Sequence, residues 1–154
     1  MNYHYCNIDH DRPLTNQGIK DSKKMGIFLK SKKSIPNLVL TSSALRAYST
    51  ATLAIKSGNW NSELIIEPKI YGGSPAILVN LINNQNDKYK NICLVGHEPN
   101  LSNFIAHSIN KSYINFSEAS MVKINFKVNK WVDIVFGFGN LDWHVKPDEI
   151  INKE

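Results

Sequence analysis

The chain has 154 residues, 42% of them hydrophobic and 20% charged, and a formal net charge of +5, which bounds it to one domain with a single substantial core. No apolar run reaches the roughly 18 residues of a membrane-spanning helix, and the lysines form no basic stripe with interleaved aromatics, which argues against nucleic acid as a partner. Cys6 and Cys93 match no metal-ligand spacing, so no metal or cofactor is expected. Two unmatched thiols and a start without a secretory pattern make the cytoplasm the expected location.

Strands and helices alternate along the chain. Thr15 is positioned to cap a helix through Ile19, Ser22, Met25 and Leu29, whose spacing keeps one face towards a core. Gly18, Ser22 and Gly26 would let that helix approach a sheet. Leu38-Val39-Leu40 reads as a strand buried on both faces, followed by a helix from about Ala44 to Ser57 with Gly58 as its stop. Leu64-Ile65-Ile66 is a weaker extended segment, and Ser74-Pro75 starts another helix. Ile92 to Val95 is a second buried strand, and a helix follows around Leu101, Phe104, Ile105 and Ser108. Val122, Ile124, Phe126 and Val128 alternate with polar residues, and Asn129-Lys130 is expected to turn that strand into a second one at Trp131 to Phe136. The pattern predicts a three-layer α/β/α sandwich, its mostly parallel sheet ending in an antiparallel C-terminal hairpin.

Two of the strands end in polar clusters, Ser42-Ser43-Ala44-Leu45-Arg46 and Gly96-His97-Glu98-Pro99-Asn100. Ligands of open parallel sheets collect beyond such strand ends, and the helix N-termini that follow favour an anion. Arg46 would sit in the first turn of its helix, where the dipole disfavours a cation. That cost is tolerable when the guanidinium faces a bound anion. Arginine is also scarce: Arg12 and Arg46 are the two arginines in a chain that otherwise uses lysine. Arginine alone offers a planar fork for phosphate. These features make Arg46, His97 and Ser43 candidate phosphate-binding residues, with Arg46 and His97 as the candidate catalytic pair.

A third cluster, Asp9-His10-Asp11-Arg12-Pro13-Leu14-Thr15, precedes both. The three clusters in this order, with Thr50, the segment from Leu64 to Tyr71, the Trp60-Asn61 region and Trp131, resemble the phosphohistidine phosphatase branch of the histidine phosphatase superfamily. The resemblance covers nearly the whole chain and implies a phosphoglycerate-mutase-like fold and metal-independent hydrolysis of a phosphorylated protein or small molecule. By motif, Arg46 matches one of the family's phosphate-holding arginines and His97 its second histidine. Arg12, Asp11, Thr15, Glu98 and Asn100 fall at the pocket edge or in structural places. Glu67, Glu98 and Asp142 are the acids to consider if phosphomonoesters are substrates.

The family's nucleophile belongs to an Arg-His motif at the end of a first strand, and no such motif precedes Arg12 here. His4 and His10 follow no arginine, and Asn2 to Ile8 read as the loop after the nucleophile. In the family that strand lies inside the sheet. Each backbone group left unpaired in a core costs roughly 1–3 kcal/mol, and several together rival a domain's whole stability of about 5–15 kcal/mol. The expectation is therefore a coding start placed too far downstream, with a strand and its Arg-His end missing. Otherwise the sheet is a strand short or is repaired by a partner. Three functions follow: a phosphatase, a catalytically inactive phosphate-binding or regulatory module, and a lysine-mediated nucleic-acid or protein-interaction domain.

Overall fold

A computed structural model of the chain describes residues 9–112 and 114–150. Strand β1 (Leu38–Thr41) has parallel partners on both sides, β2 (Glu63–Ile66) and β3 (Ile92–Val95). None of its four residues is more than 1% exposed. Side chains alternate across a strand, so Leu38 and Leu40 face one way and pack with Leu78, Ile82 and Phe104. Val39 faces the other way and packs with Leu29, Ala51, Ala54 and Trp60. Helices α1 (Asn16–Ser31) and α2 (Leu45–Gly58) therefore cover one face, and α3 (Pro75–Asn83) and α4 (Asn100–Ser108) the other. The expected three-layer α/β arrangement holds. Among the described residues no helix is long and apolar enough to cross a membrane.

The helix starts form as their sequences require. Thr15 Oγ1 accepts the Gly18 N–H at 3.0 Å, and Ser74 Oγ accepts the Ile77 N–H at 3.4 Å with Pro75 in the first helical position. Two details differ from expectation. Gly58 is the last residue of α2, and Asn59, at φ 53°, takes the left-handed stop. Gly26 lets α1 approach α2 instead of the sheet. The small residues Ala47, Ala51, Ala54 and Gly58 line the buried face of α2, and Trp60 Nε1 donates to the Gly26 carbonyl at 3.0 Å.

The C-terminal hairpin also departs from expectation. β4 (Met121–Phe126) pairs antiparallel with β5 (Gly139–Val145), not with residues 131–136. Trp131–Asp133 is a 3-10 turn. The apolar side chains of Trp131, Ile134 and Phe136 resemble a strand in sequence because they pack against the core beside α3 and α4. Asn83 Nδ2 fixes this segment by donating to the Trp131 and Ile134 carbonyls at 2.8 and 3.0 Å. The hairpin, moreover, is a sheet of its own: the strands are ordered β2-β1-β3 in one sheet and β4-β5 in the other.

The α1–α2 crossing yields a test. Replacing a helix-interior glycine with alanine ordinarily stabilises by roughly 0.5–1 kcal/mol. At Gly26 a Cβ would stand 2.6 Å from the Ala54 Cα, against backbone that cannot swing aside. Forcing the helices apart costs typically 1–3 kcal/mol, so the clash outweighs the propensity gain. Gly26→Ala is expected to lower the urea midpoint with an unchanged m-value; a raised midpoint would show that the crossing is looser than described.

Candidate functional site

The chain places its polar clusters where β1 and β3 end. Beyond Thr41, the Ser42 N–H continues the ladder to the Val95 carbonyl at 2.9 Å, which ties the two strand ends together. Ser42 is fully buried, and its Oγ accepts the Ala44 N–H at 3.2 Å at the entrance to α2. That same oxygen lies 2.7 Å from His97 Nε2. Arg46 follows in the first turn of α2, as expected, and its Nη2 lies 3.3 Å from His97 Nδ1. A guanidinium can only donate, so Nδ1 is the accepting nitrogen and Nε2 carries the hydrogen given to Ser42. His97 is thereby held neutral in one tautomer.

Charge agrees with this arrangement. Burial, followed by the Arg46 guanidinium, pushes His97 below its ordinary value of 6.5, with Asp9 acting in the opposite sense and His10 adding to the lowering. Partial burial penalises the imidazolium, and a cation alongside penalises it further.

Asp9 occupies the guanidinium. Arg46 Nη1 donates to the Asp9 carbonyl at 2.6 Å and Nη2 to Asp9 Oδ2 at 3.3 Å. Tyr71 donates its hydroxyl to the same Oδ2 at 2.6 Å. The Tyr71 hydrogen bond holds the Asp9 carboxyl below its ordinary 3.8 against some loss of hydration, and Arg46 and Arg12 act in the same direction as Tyr71. Asp9 Oδ2 thus takes one guanidinium N–H and a phenol O–H, both charge-assisted bonds, while the other arm of the Arg46 fork is taken by the Asp9 carbonyl.

His10 joins the cluster too. Its Nε2 lies 2.9 Å from Ser43 Oγ and its Nδ1 3.2 Å from Asp11 Oδ1, and its carbonyl accepts the Leu45 N–H at 2.9 Å. The Tyr71 ring stands edge-on between two imidazoles, 5.0 Å from His10 and 5.3 Å from His97.

Of the residues singled out from sequence, Arg46 and His97 are in contact, and Ser43 reaches the cluster through His10. Asp11 and Arg12 border it, Arg12 through a 3.6 Å ion pair with Asp9. Thr15 is the α1 cap. Glu98 accepts the Ser102 N–H at 3.0 Å and its hydroxyl, which makes it a cap for α4, and Asn100 is the first residue of that helix. Glu67 accepts the Lys69 N–H at 3.3 Å. Asp142 is engaged by Asn125 and Lys123 across the hairpin. His4 lies outside the described residues. Sequence reasoning missed Asp9, Ser42 and Tyr71, and set His10 aside. The signal for Ser42 was present, since it is the first polar residue past a buried strand; Tyr71 is distant in sequence and only folding brings it in.

No family model matches the chain. An uncharacterized protein of Mycobacterium tuberculosis, matched alike in strains CDC 1551 and H37Rv, is 34% identical over 95 residues. That match takes in 61% of this chain and 57% of the relative, so the chain spans little more than half the length of the curated relatives it matches. Three solved structures are similar over more of the molecule. One, described as the phosphohistidine phosphatase SixA from Nakamurella multipartitia, has a TM-score of 0.79 at 18% identity, covering 90% of this chain and 87% of that one. The protein histidine phosphatase SixA complexed with tungstate gives 0.79 at 22%, covering 92% and 88%. A structure described as SixA from Agrobacterium tumefaciens gives 0.76 at 18%, covering 90% and 86%. At these identities the likeness establishes the fold, which is that of the SixA phosphohistidine phosphatases.

Proposed function

We propose that this chain is a phosphoryl-binding domain of the histidine phosphatase type, taking phosphohistidine on a protein or a small phosphomonoester against Arg46, His97 and Tyr71. One observation carries the reading: Arg46 Nη2 and the Tyr71 hydroxyl already converge on one anionic oxygen, Asp9 Oδ2, while Arg46 Nη1 is held by the Asp9 carbonyl. A phosphoryl group offers more charge and more acceptor oxygens than a carboxylate, so it competes well for those donors. The tungstate bound to a structural neighbour is an oxyanion of the same general shape.

Hydrolysis is the second reading, and the placement of His10 favours it. Phosphoryl transfer depends mainly on positioning and on neutralising the equatorial oxygens, which Arg46 and Tyr71 would serve. The attacking group is the missing part of a complete site. Among the described residues at the cluster, His10 is the histidine other than His97, paired with Asp11 and oriented by Ser43.

Calorimetric titration with vanadate tests the binding. Arg46→Ala and Arg46→Lys should each weaken it by about ten-fold or more, since a lysine cannot reproduce the fork. Asp9→Asn should tighten it by removing the competing charge. Equal affinity in the Arg46→Lys protein would reject the site.

The neutral state of His97 sets the pH dependence. In the free protein its pKa lies below 6.5; a bound dianion favours the imidazolium and raises it. Binding is then coupled to proton uptake, so affinity grows as pH falls through the bound-state value and levels off below the free-state value. Sulfate keeps a constant charge over this range and is the suitable probe. The His97→Gln protein should show a flatter profile, and a slope equal to that of the parent would remove His97 from the site.

Turnover separates the two readings. Release of phosphate from a phosphohistidine peptide that is lost in His10→Ala, with vanadate affinity retained, would make the chain a phosphatase with His10 as nucleophile. Vanadate binding without any release of phosphate identifies the binding module.

A further inference from the structure

The positive charge of the chain is concentrated in one element. Residues 16–33, helix α1 and the turn after it, hold six lysines and one aspartate, a formal charge of +5. The rest of the chain has twelve basic and twelve acidic residues, so this segment accounts for the whole net charge of +5. Lys20, Lys23, Ile27 and Lys30 follow one another in steps of three and four, which align them in one row along the helix. All four are exposed, whereas Ser22, Met25, Gly26 and Leu29 form the buried side.

Helix chemistry does not require this row. A cation near a helix C-terminus offsets the dipole, which accounts for Lys30 in the last turn but not for Lys20 or Lys23. The first turn holds no acidic residue. Lys20 is three residues from Lys23 and four from Lys24, spacings at which like charges destabilise a helix. The neighbouring acids bring no relief. Asp21 accepts from Gln17 Nε2 at 2.9 Å, and Glu149, in the turn whose Pro147 carbonyl Lys24 contacts, accepts the Lys146 N–H at 2.9 Å. Among the described residues no lysine of α1 makes an ion pair. Ile27, in the middle of the row, is 56% exposed.

We infer that this row docks an acidic protein surface, and that the protein is the phosphorylated partner of the proposed anion site; the second part rests on the function proposed above. An apolar residue flanked by lysines matches a protein surface with an apolar centre and a carboxylate rim. A membrane surface needs several apolar side chains on the face turned towards it. Here the other apolar side chains of α1 are buried or partly buried. Nucleic acid favours arginine and stacking aromatics, and the row has neither. Position ties the row to the site. α1 begins directly after the segment 9–15 that carries Asp9 and His10. At 1.5 Å per residue, Lys20 and Lys23 lie about 6 and 11 Å along the helix from that end. A standard interface of about 800 Å² on each partner reaches both.

The test uses the whole chain and two helical peptides of equal length, each with a non-hydrolysable phosphotriazole in place of phosphohistidine and one leucine. One peptide is flanked by glutamates and the other by glutamines. By calorimetry the glutamate peptide should bind about ten-fold or more tightly at low ionic strength, with the preference fading at high salt. Substituting Lys20→Gln, Lys23→Gln and Lys30→Gln together should abolish the preference and leave vanadate affinity unchanged. Ile27→Ser should weaken binding of the glutamate peptide. Equal affinity for the two peptides, or a preference that survives the triple substitution, would overturn the inference. Duplex DNA that binds more tightly than the glutamate peptide, and is lost in the triple variant but indifferent to Ile27→Ser, would make the row a nucleic-acid surface instead. Pelleting with phosphatidylserine vesicles that the same three substitutions abolish would assign it to a membrane. The anion site is judged separately. If vanadate does not bind and the glutamate peptide binds equally well without its phosphoryl group, the docking row stands and its link to a phosphorylated partner falls.

Discussion

Strand β1 is held by hydrogen bonds from both sides and by apolar contact on both faces, and most other elements are placed by that fact. Leu38 and Leu40 are buried against α3 and α4, and Val39 against α1 and α2. Each fully buried side chain of this size contributes about 1.5–3 kcal/mol, so a few residues fix the relation between layers. The direction of β1 then decides where its polar sequel emerges. Ser42 and Ser43 follow at the carboxyl end, and Arg46 enters α2 one turn later. The polar cluster is a consequence of a buried strand ending where a helix starts.

What gathers at that end is an electrostatic balance more than a preformed cavity. Arg46 sits at the end of its helix that the dipole makes unfavourable for a cation, and Asp9 offsets this through its carbonyl and carboxylate. The pair is partly exposed, so water screens it and the contact itself adds little stability. It does orient the fork and leaves His97 neutral with one acceptor nitrogen towards Arg46. An incoming dianion would exchange with Asp9 for the same donors.

Much of this arrangement was legible from the residues. Thr15 and Ser74-Pro75 announce helix starts through chemistry confined to three or four neighbours, and both form as written. Leu38-Val39-Leu40 announces a buried strand by continuous apolarity and is one; Ile92 to Val95 announces another, but its four residues are only partly buried, and the polar sequels of both point to Arg46 and His97. The failures share a cause, because each depends on contacts distant in sequence. Residues 131–136 look like a strand until Asn83 and the core are in place. Gly58 looks like a helix stop, but it is needed where Trp60 and Gly26 close in on α2. Asp9 and Tyr71 meet across 62 residues, and no local pattern announces such a pairing.

The divided sheet bears on the site through β3. Arg46 hangs from β1, which is paired on both sides, whereas His97 hangs from β3, which is paired on one. Strands paired on one side open more readily than central ones, so, among the described residues, the two halves of the polar cluster rest on foundations of unequal stiffness. Two bonds compensate at the strand ends: the Ser42 N–H donates to the Val95 carbonyl, and Ser42 Oγ accepts from His97 Nε2. Both involve Ser42, a residue that is fully buried and belongs to the stiffer half. Ser42 therefore transmits the position of β1 to His97. The spacing between guanidinium and imidazole is set from the β1 side, the side on which β3 is paired among the described residues.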